Sequence, residues 1–334
     1  MSDETLSVKE IGEARDQIVA ELRKSIVGME DVIDEMMIAI FARGHVLLVG
    51  VPGLAKTLLV SSLSQALSLS FRRIQFTPDL MPSDITGTEV LQEDPETHQR
   101  KFKFLEGPVF TNLLLADEIN RTPPKTQAAL LEAMQEKRIT SGGMDYELAK
   151  PFFVLATQNP IEQEGTYPLP EAQLDRFLFN VLVKYPSRNE EIDIMENVTC
   201  SEPQTIQKVL TGEDIIKYQD IIKKIPVARH VMEYVATLVR STRPNEPDAP
   251  QFVRNYMGWG AGPRASLNLI MAGKARAALR GRTHVAVEDI QALCAPVLRH
   301  RIIPNFAACS EGITPDILIE RLIAETPVNE KLYA

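Results

Sequence analysis

The chain has 334 residues, 44% hydrophobic and 24% charged, enough apolar material for two packed domains of an ordinary globular protein. A net charge of −9, with no long basic run, argues against a protein that grips a phosphate backbone. The three widely spaced cysteines, Cys200, Cys294 and Cys309, fit neither a disulfide framework nor a metal site and read as reduced cytoplasmic thiols; no apolar stretch approaches the roughly 18 residues of a spanning helix, and the acidic start Met1-Ser2-Asp3-Glu4-Thr5 does not read as a signal peptide.

Residues 1 to about 25 read as an amphipathic helix with Ile11, Ile18 and Leu22 on its buried face, and Gly28 is suited to end a helix. The apolar run His45-Val46-Leu47-Leu48-Val49 then reads as a buried parallel strand. After it comes the turn Gly50-Val51-Pro52-Gly53-Leu54-Ala55-Lys56-Thr57, and from Leu58 to Ala66 a helix. Strand, glycine-containing turn, Lys-Thr and helix is the order a phosphate-binding loop needs. Glycines let backbone N–H groups turn toward phosphate oxygens, and the helix N-terminus adds a partial positive charge. Lys56 would reach the β- and γ-phosphates of a nucleotide, and the Thr57 hydroxyl would sit on Mg²⁺. Ala55 departs from the pattern, since a glycine usually precedes the lysine; helical φ/ψ is expected there, which alanine accepts.

Residues 71–76 form the next strand candidate, followed by a polar insertion over 84–107 with turn character at 93–100. Asn112-Leu113-Leu114-Leu115-Ala116-Asp117-Glu118 is a buried strand that delivers two carboxylates at its C-terminal end, where open α/β sheets place ligands. Asp117 would hold the Mg²⁺ shell and Glu118 would orient the attacking water. Thr122-Pro123-Pro124 starts a helix with Gln127, Leu130, Leu131 and Met134 on one face. Residues 138–150 read as a hairpin around Ser141-Gly142-Gly143. A third strand over 152–157 leads into Gln158-Asn159-Pro160; Asn159 could reach a γ-phosphate or simply start a turn. Leu174-Asp175-Arg176-Phe177 precedes a further strand over 178–183. Pro186-Ser187-Arg188-Asn189 looks like a hinge, so that residues 1–25 form an N-terminal helix, 26–186 an α/β core and 187–334 a helical, strand-poor domain. In the last, 244–250 is a rigid proline loop, Trp259 reads as a packing residue, and Gly262-Pro263-Arg264-Ala265-Ser266 opens a helix. An arginine in a first turn opposes the helix dipole, which makes sense if Arg264 meets an anion. The five histidines, His98 among them, show no ligand spacing, and there is no internal repeat.

Together these stretches resemble the AAA+ ATPases, and within them the MoxR family, over nearly the whole chain. Residues 50–57 have the family's Walker A form, alanine included; Asp117-Glu118-Ile119-Asn120-Arg121 resembles its Walker B box, Gln158-Asn159-Pro160 its sensor 1, Glu171-Ala172-Gln173-Leu174-Asp175-Arg176-Phe177 its arginine-finger segment and Gly262-Pro263-Arg264-Ala265-Ser266 its sensor 2. Val297-Leu298-Arg299-His300-Arg301 matches a further family stretch, and Ile26-Val27-Gly28 the element against adenine. The resemblance implies an α/β P-loop core with a parallel sheet, two hairpin insertions and an α-helical lid, assembled as a homo-oligomeric, commonly hexameric ring. Val27, Gly28 and residues 50–58 (Gly50, Val51, Pro52, Gly53, Leu54, Ala55, Lys56, Thr57 and Leu58) would bind ATP, with Thr57 and Asp117 on Mg²⁺. Lys56, Glu118, Asn159, Arg176 and Arg264 would be catalytic, Arg176 on the ATP of the neighbouring subunit and Arg264 either in its own subunit or across the interface; Arg121 is a further interface candidate. The first insertion would face the ring pore or stand as a solvated hairpin tip.

The implied function is ATP-driven, chaperone-like remodelling or activation of partner proteins, with a von Willebrand factor A domain protein as partner and no nucleic acid. Two alternatives stand beside it: a nucleotide-dependent scaffold with little turnover, against which Glu118, Asn159, Arg176 and Arg264 argue, and a chelatase-type motor. A DNA motor is disfavoured by the net charge.

Overall fold

A computed structural model describes residues 3–93, 100–161, 165–200 and 204–328. Met1 and Ser2, His98, the Cys200 side chain and most of the polar centre at 93–100 lie outside the described residues. The chain begins with α1 (Asp3–Leu22) and α2 (Glu30–Phe41), and then enters a repeating βα pattern: β1 (Val46–Val49), α3 (Lys56–Ala66), β2 (Phe71–Gln75) and the short α4 (Pro82–Thr86). The hairpin β3 (Gly87–Glu93) and β4 (Arg100–Glu106) precedes β5 (Leu113–Asp117), a 3-10 turn at Ile119–Arg121 and α5 (Pro124–Glu136). A second hairpin, β6 (Arg138–Ser141) and β7 (Met144–Glu147), leads to β8 (Phe153–Gln158), α6 (Glu171–Leu174) and β9 (Phe179–Leu182). The rest is mostly helical: α7 (Arg188–Cys200), α8 (Gly212–Lys224), α9 (Arg229–Ser241), α10 (Gln251–Tyr256), β10 (Met257–Trp259), α11 (Pro263–Leu279), α12 (Val287–Leu298), β11 (Ile303–Pro304), α13 (Phe306–Ser310) and α14 (Pro315–Glu325).

Five strands form one parallel sheet in the order β2-β5-β8-β1-β9. Strands buried on both faces need apolar residues at every position, which is why Leu113-Leu114-Leu115-Ala116 and residues 153–156 run without polar interruption. Alternation sorts them into two cores. Val46, Leu48, Leu113, Leu115, Phe153 and Leu155 pack with α1, α2, α3 and the lid helices; Leu47, Leu114, Ala116, Val154 and Ala156 pack with Leu130, Leu131 and Met134 of α5. The first of these cores runs without a break from sheet to lid, so the expected hinge at 186–189 joins two parts that share apolar packing.

Both insertions are antiparallel hairpins. Phe104 of β4 stacks on Tyr146 of β7 at 4.1 Å between ring centroids, which braces one hairpin on the other. Farther out, Leu91 and Phe102 face each other across the ladder, 53% and 73% exposed. Trp259 is also exposed, at 68%, contrary to the packing role expected for it; β10 carries it on the surface of the lid opposite Ile303.

Candidate functional site

The loop after β1 has the shape its composition calls for. Gly50 follows the strand so closely against β9 that a Cβ would lie 2.8 Å from the Val183 carbonyl oxygen. Gly53 has φ +84°, with open space where a Cβ would be. Ala55 is the exception: it has φ 49° and ψ 22°, left-handed rather than helical as the sequence suggested. The chain must reverse there for α3 to start at Lys56, and the β-carbon adds about 1–2 kcal/mol of strain that a glycine avoids. Lys56 and Thr57 form the first turn of the eleven-residue α3, both half-buried. The Lys56 ammonium donates to the Gly50 carbonyl oxygen at 2.5 Å, folding the loop over itself. Burial lowers its pKa, against an opposing pull from Asp117 and Glu118 nearby.

Asp117 ends β5 with both oxygens engaged. Oδ1 accepts from the Thr157 hydroxyl at 2.6 Å; Oδ2 accepts from Arg73 Nη2 at 2.6 Å and Nε at 3.1 Å. Glu118 leaves the strand in a left-handed conformation, φ 57° and ψ 49°. Its Oε2 accepts from Gln75 Nε2 at 2.6 Å and pairs with Arg121 at 3.2 Å, and its N–H donates to Thr157 Oγ1 at 2.8 Å. Arg73 and Gln75 share one face of β2, which pairs with β5 in register from Phe71 opposite Leu113 to Gln75 opposite Asp117. Two cationic groups and an amide thus hold two carboxylates at the sheet's C-terminal edge. Beneath them the buried Gln127 amide donates to the carbonyls of Ile119, Thr122 and Tyr167. Asn159 sits at the same edge, buried, with Oδ1 accepting the Ile161 N–H at 3.2 Å. It therefore starts a turn as it stands beside the acids.

Arg176 and Arg264 lie elsewhere. The strand β9 follows Arg176 and pairs with β1 from Phe179 opposite Val46, so Arg176 is at the N-terminal edge of the sheet. Its guanidinium donates to the Leu131 carbonyl oxygen at 2.6 Å. Arg264, 52% exposed in the first turn of α11, pairs with Asp175 at 3.1 Å, and this neighbouring carboxylate offsets the unfavourable helix-dipole position. Both arginines line a cavity of about 330 Å³ with His45, Met134, Asp175 and Leu267. Burial lowers the His45 pKa to about 4, so its ring is neutral at pH 7. Nδ1 accepts the Val154 N–H at 3.0 Å, which leaves Nε2–H to donate to the Met134 carbonyl oxygen at 3.3 Å.

The stretch 297–301 fastens the lid to this edge. Arg301, buried, donates to Asp175 Oδ1 at 2.7 Å and to the carbonyl oxygens of Phe177 at 2.6 Å and Leu178 at 3.2 Å. His300, its pKa lowered well below the usual value by burial and by Arg301, donates Nε2–H to the Phe177 carbonyl oxygen at 3.1 Å. Arg299 donates to the Asn180 carbonyl oxygen at 2.5 Å and to Asp316.

Val27 and Gly28 line a separate cavity of about 570 Å³, together with Arg15, Arg23, Glu30 and Asp193. That volume suits a nucleoside-sized ligand. Gly28 has φ +69°, and a Cβ there would meet the Glu190 carboxylate of α7 at 2.3 Å.

Sequence reasoning gave no role to Arg73, Gln75 and Thr157, and named Arg301 only within a matching family stretch. The first two form an alternating polar pair on the strand beside the acids, and Thr157 is the only hydroxyl in β8; both are readable signals in hindsight. Among the described residues no cluster of His, Cys, Asp and Glu is arranged to hold a metal by itself, and no helix is long and apolar enough to cross a membrane.

Residues 45–179 match the model of the ATPase family associated with various cellular activities (AAA), and residues 251–322 match the AAA lid domain. Chaperone MoxR1 of Mycobacterium tuberculosis is 42% identical over 308 residues, 92% of this chain and 80% of that protein. YeaC of Bacillus subtilis is 41% identical over 311 residues, 93% of each. A crystal structure of a Cytophaga hutchinsonii protein superposes with a TM-score of 0.89 at 40% identity, covering 97% of both chains. With a phosphate-loop core, paired acids at its sheet edge, a helical lid and relatives of this likeness along nearly its full length, the chain belongs to the MoxR family of AAA+ ATPases.

Proposed function

We propose that this ATPase hydrolyses ATP at sites shared between neighbouring copies of itself, arranged as a homo-oligomeric ring, and uses the cycle for chaperone-like remodelling of partner proteins. The observation that carries the reading is the division of its charged groups between two edges. Lys56, Thr57, Asp117, Glu118 and Asn159 gather at the C-terminal edge of the parallel sheet, Arg176 and Arg264 at the N-terminal edge. The four residues of β1 separate them by about 13 Å of strand. A head-to-tail contact would bring the arginine edge of one copy to the acid edge of the next.

In such a site the backbone N–H groups of 53–57 and the Lys56 ammonium bind phosphate oxygens, Lys56 exchanging the Gly50 carbonyl for them. Val27 and Gly28 hold the base. Thr57 and Asp117 offer the hard oxygen donors that Mg²⁺ takes, and the ion supplies charge neutralisation along the transferring phosphoryl. Arg73 gives up Asp117 Oδ2 in the process. Glu118, released from Gln75 and Arg121, orients the water and accepts its proton, and Asn159 helps to fix that water. Arg176 and Arg264 of the adjacent copy then meet the charge that develops on the phosphoryl oxygens. The family resemblance supports a hexamer and a von Willebrand factor A domain partner, and the widely spaced cysteines support a cytoplasmic setting; the two hairpins are the surfaces this reading assigns to the partner.

The test is ATPase rate against protein concentration for wild type and Arg176→Ala, with mass measured with and without ATP. A per-chain rate that rises with concentration in an assembling wild type, and falls about 10³-fold or more in the variant, is expected of an arginine supplied across an interface. A concentration-independent rate carried by a monomer would overturn the shared site.

A further inference from the structure

We propose that Thr157 is a positioning residue that sets the metal-side and water-side carboxylates relative to each other. The inference rests on the ATPase reading above and deepens it. Strands β5 and β8 run in register from Leu113 opposite Phe153 to Ala116 opposite Ala156, which brings the next residues, Asp117 and Thr157, side by side. The Thr157 hydroxyl is the one polar side chain between Phe153 and Thr157, and the residue is only 1% exposed. Its oxygen does two things at once: it donates to Asp117 Oδ1 at 2.6 Å and accepts the Glu118 N–H at 2.8 Å. A hydroxyl has one proton to give, and here it goes to the carboxylate, so its lone pair is what receives the amide.

That division of labour matters because Asp117 and Glu118 are consecutive yet have separate tasks. The strand ends at Asp117, and Glu118 turns to φ 57°, a conformation that a side chain other than glycine's adopts only when its surroundings hold it there. Past the ladder, the Glu118 N–H has no strand carbonyl to donate to; Thr157 Oγ1 receives it and so holds the turn. The bond to Oδ1 meanwhile fixes the Asp117 side chain, leaving Oδ2 as the oxygen whose partner, Arg73, can be exchanged. One buried atom therefore sets the angle between the two acids. Valine has the same shape and the same liking for a strand, so packing alone gives no reason for a threonine here.

The decisive comparison uses full-length wild type, Thr157→Val, Thr157→Ser and Glu118→Gln. Turnover at saturating ATP is measured against Mg²⁺ concentration, and affinity for a fluorescent ATP analogue is measured in excess EDTA. The expected result for Thr157→Val is a kcat lower by about 10–100-fold and a higher Mg²⁺ requirement, with Mg²⁺-free nucleotide affinity kept. Thr157→Ser, which retains the hydroxyl, should recover most of the loss. The metal-free affinity also verifies that the valine variant is folded. Turnover lost in Glu118→Gln but retained in Thr157→Val would overturn the inference and leave the ATPase reading intact. Equal impairment of the serine and valine variants would also overturn it, since packing would then be the cause. Turnover in Glu118→Gln equal to wild type would overturn the assignment of Glu118 as the carboxylate that activates water, and this inference with it, while leaving the chain an ATPase.

Discussion

Ala55 shows how a single β-carbon bears on the phosphate loop. At φ 49° it occupies a conformation in which glycine is free of strain, and alanine costs about 1–2 kcal/mol. Replacing it with glycine relieves that strain but loosens the unfolded chain by about 0.4–1 kcal/mol, so Ala55→Gly should lie within about 1 kcal/mol of wild type, on the stable side. A β-branched residue at positive φ is a genuine outlier, and Ala55→Val should lower both melting temperature and nucleotide affinity. Thermal denaturation of the two variants checks the pair, and a valine variant as stable as glycine would contradict the geometry. Much of this site was legible residue by residue: Lys56, Thr57, Asp117 and Glu118 follow apolar strands that can only be buried, so their place at a strand's end follows from the pattern. The left-handed turn at Ala55 was not legible, because the backbone conformation is set by how α3 must leave the sheet and not by alanine's own preference.

At the scale of elements, the connection between α12 and β9 stands out. Arg301 is buried with its guanidinium spread over Asp175 and the carbonyls of Phe177 and Leu178, so truncating it strands a carboxylate and several acceptors together. Arg301→Ala should destabilise the chain by about 3–5 kcal/mol, read by urea denaturation, and should loosen the segment that carries Arg176. On α2, Glu35 makes the joint between core and lid pH-dependent. Burial raises its pKa to about 7, with Asp31, Asp34 and Asp316 adding to the effect and Arg299 opposing it. The unfolded chain releases this proton near 4.5, the folded chain near 7, so the stabilisation is complete below 4.5 and is lost as the pH climbs through 7. Glu35→Gln should therefore be close to neutral at pH 4.5 and more stable than wild type by about 1–2 kcal/mol at pH 8, measured by melting at the two values. The strands, hairpins and lid helices were readable from periodicity and turn residues, whereas these joints were not: Arg299, His300 and Arg301 lie more than a hundred residues from the carbonyls they meet, and nothing local marks the pairing.

On the scale of the whole molecule, the parallel sheet makes the chain two-ended. Every strand presents its C-terminus to one edge, so the loop and the acids cannot avoid sharing that side, and residues that precede strands cannot join them there. The exposed Trp259, the chain's only tryptophan, lies on the lid three residues before the Gly262 that caps the Arg264 helix, so its emission offers a native report on events at that end. A two-ended subunit also has a consequence in mixtures. On the proposed shared site, Glu118→Gln would spoil one end and leave the other sound, and Arg176→Ala would do the reverse. Each variant alone should be inactive, yet an equal blend allowed to exchange subunits restores an undamaged junction wherever a sound acid end meets a sound arginine end, roughly a quarter of random junctions. Two dead proteins would then make a live one, and activity absent from the blend but present in wild type at the same concentration would mean that each chain keeps both halves of its chemistry to itself.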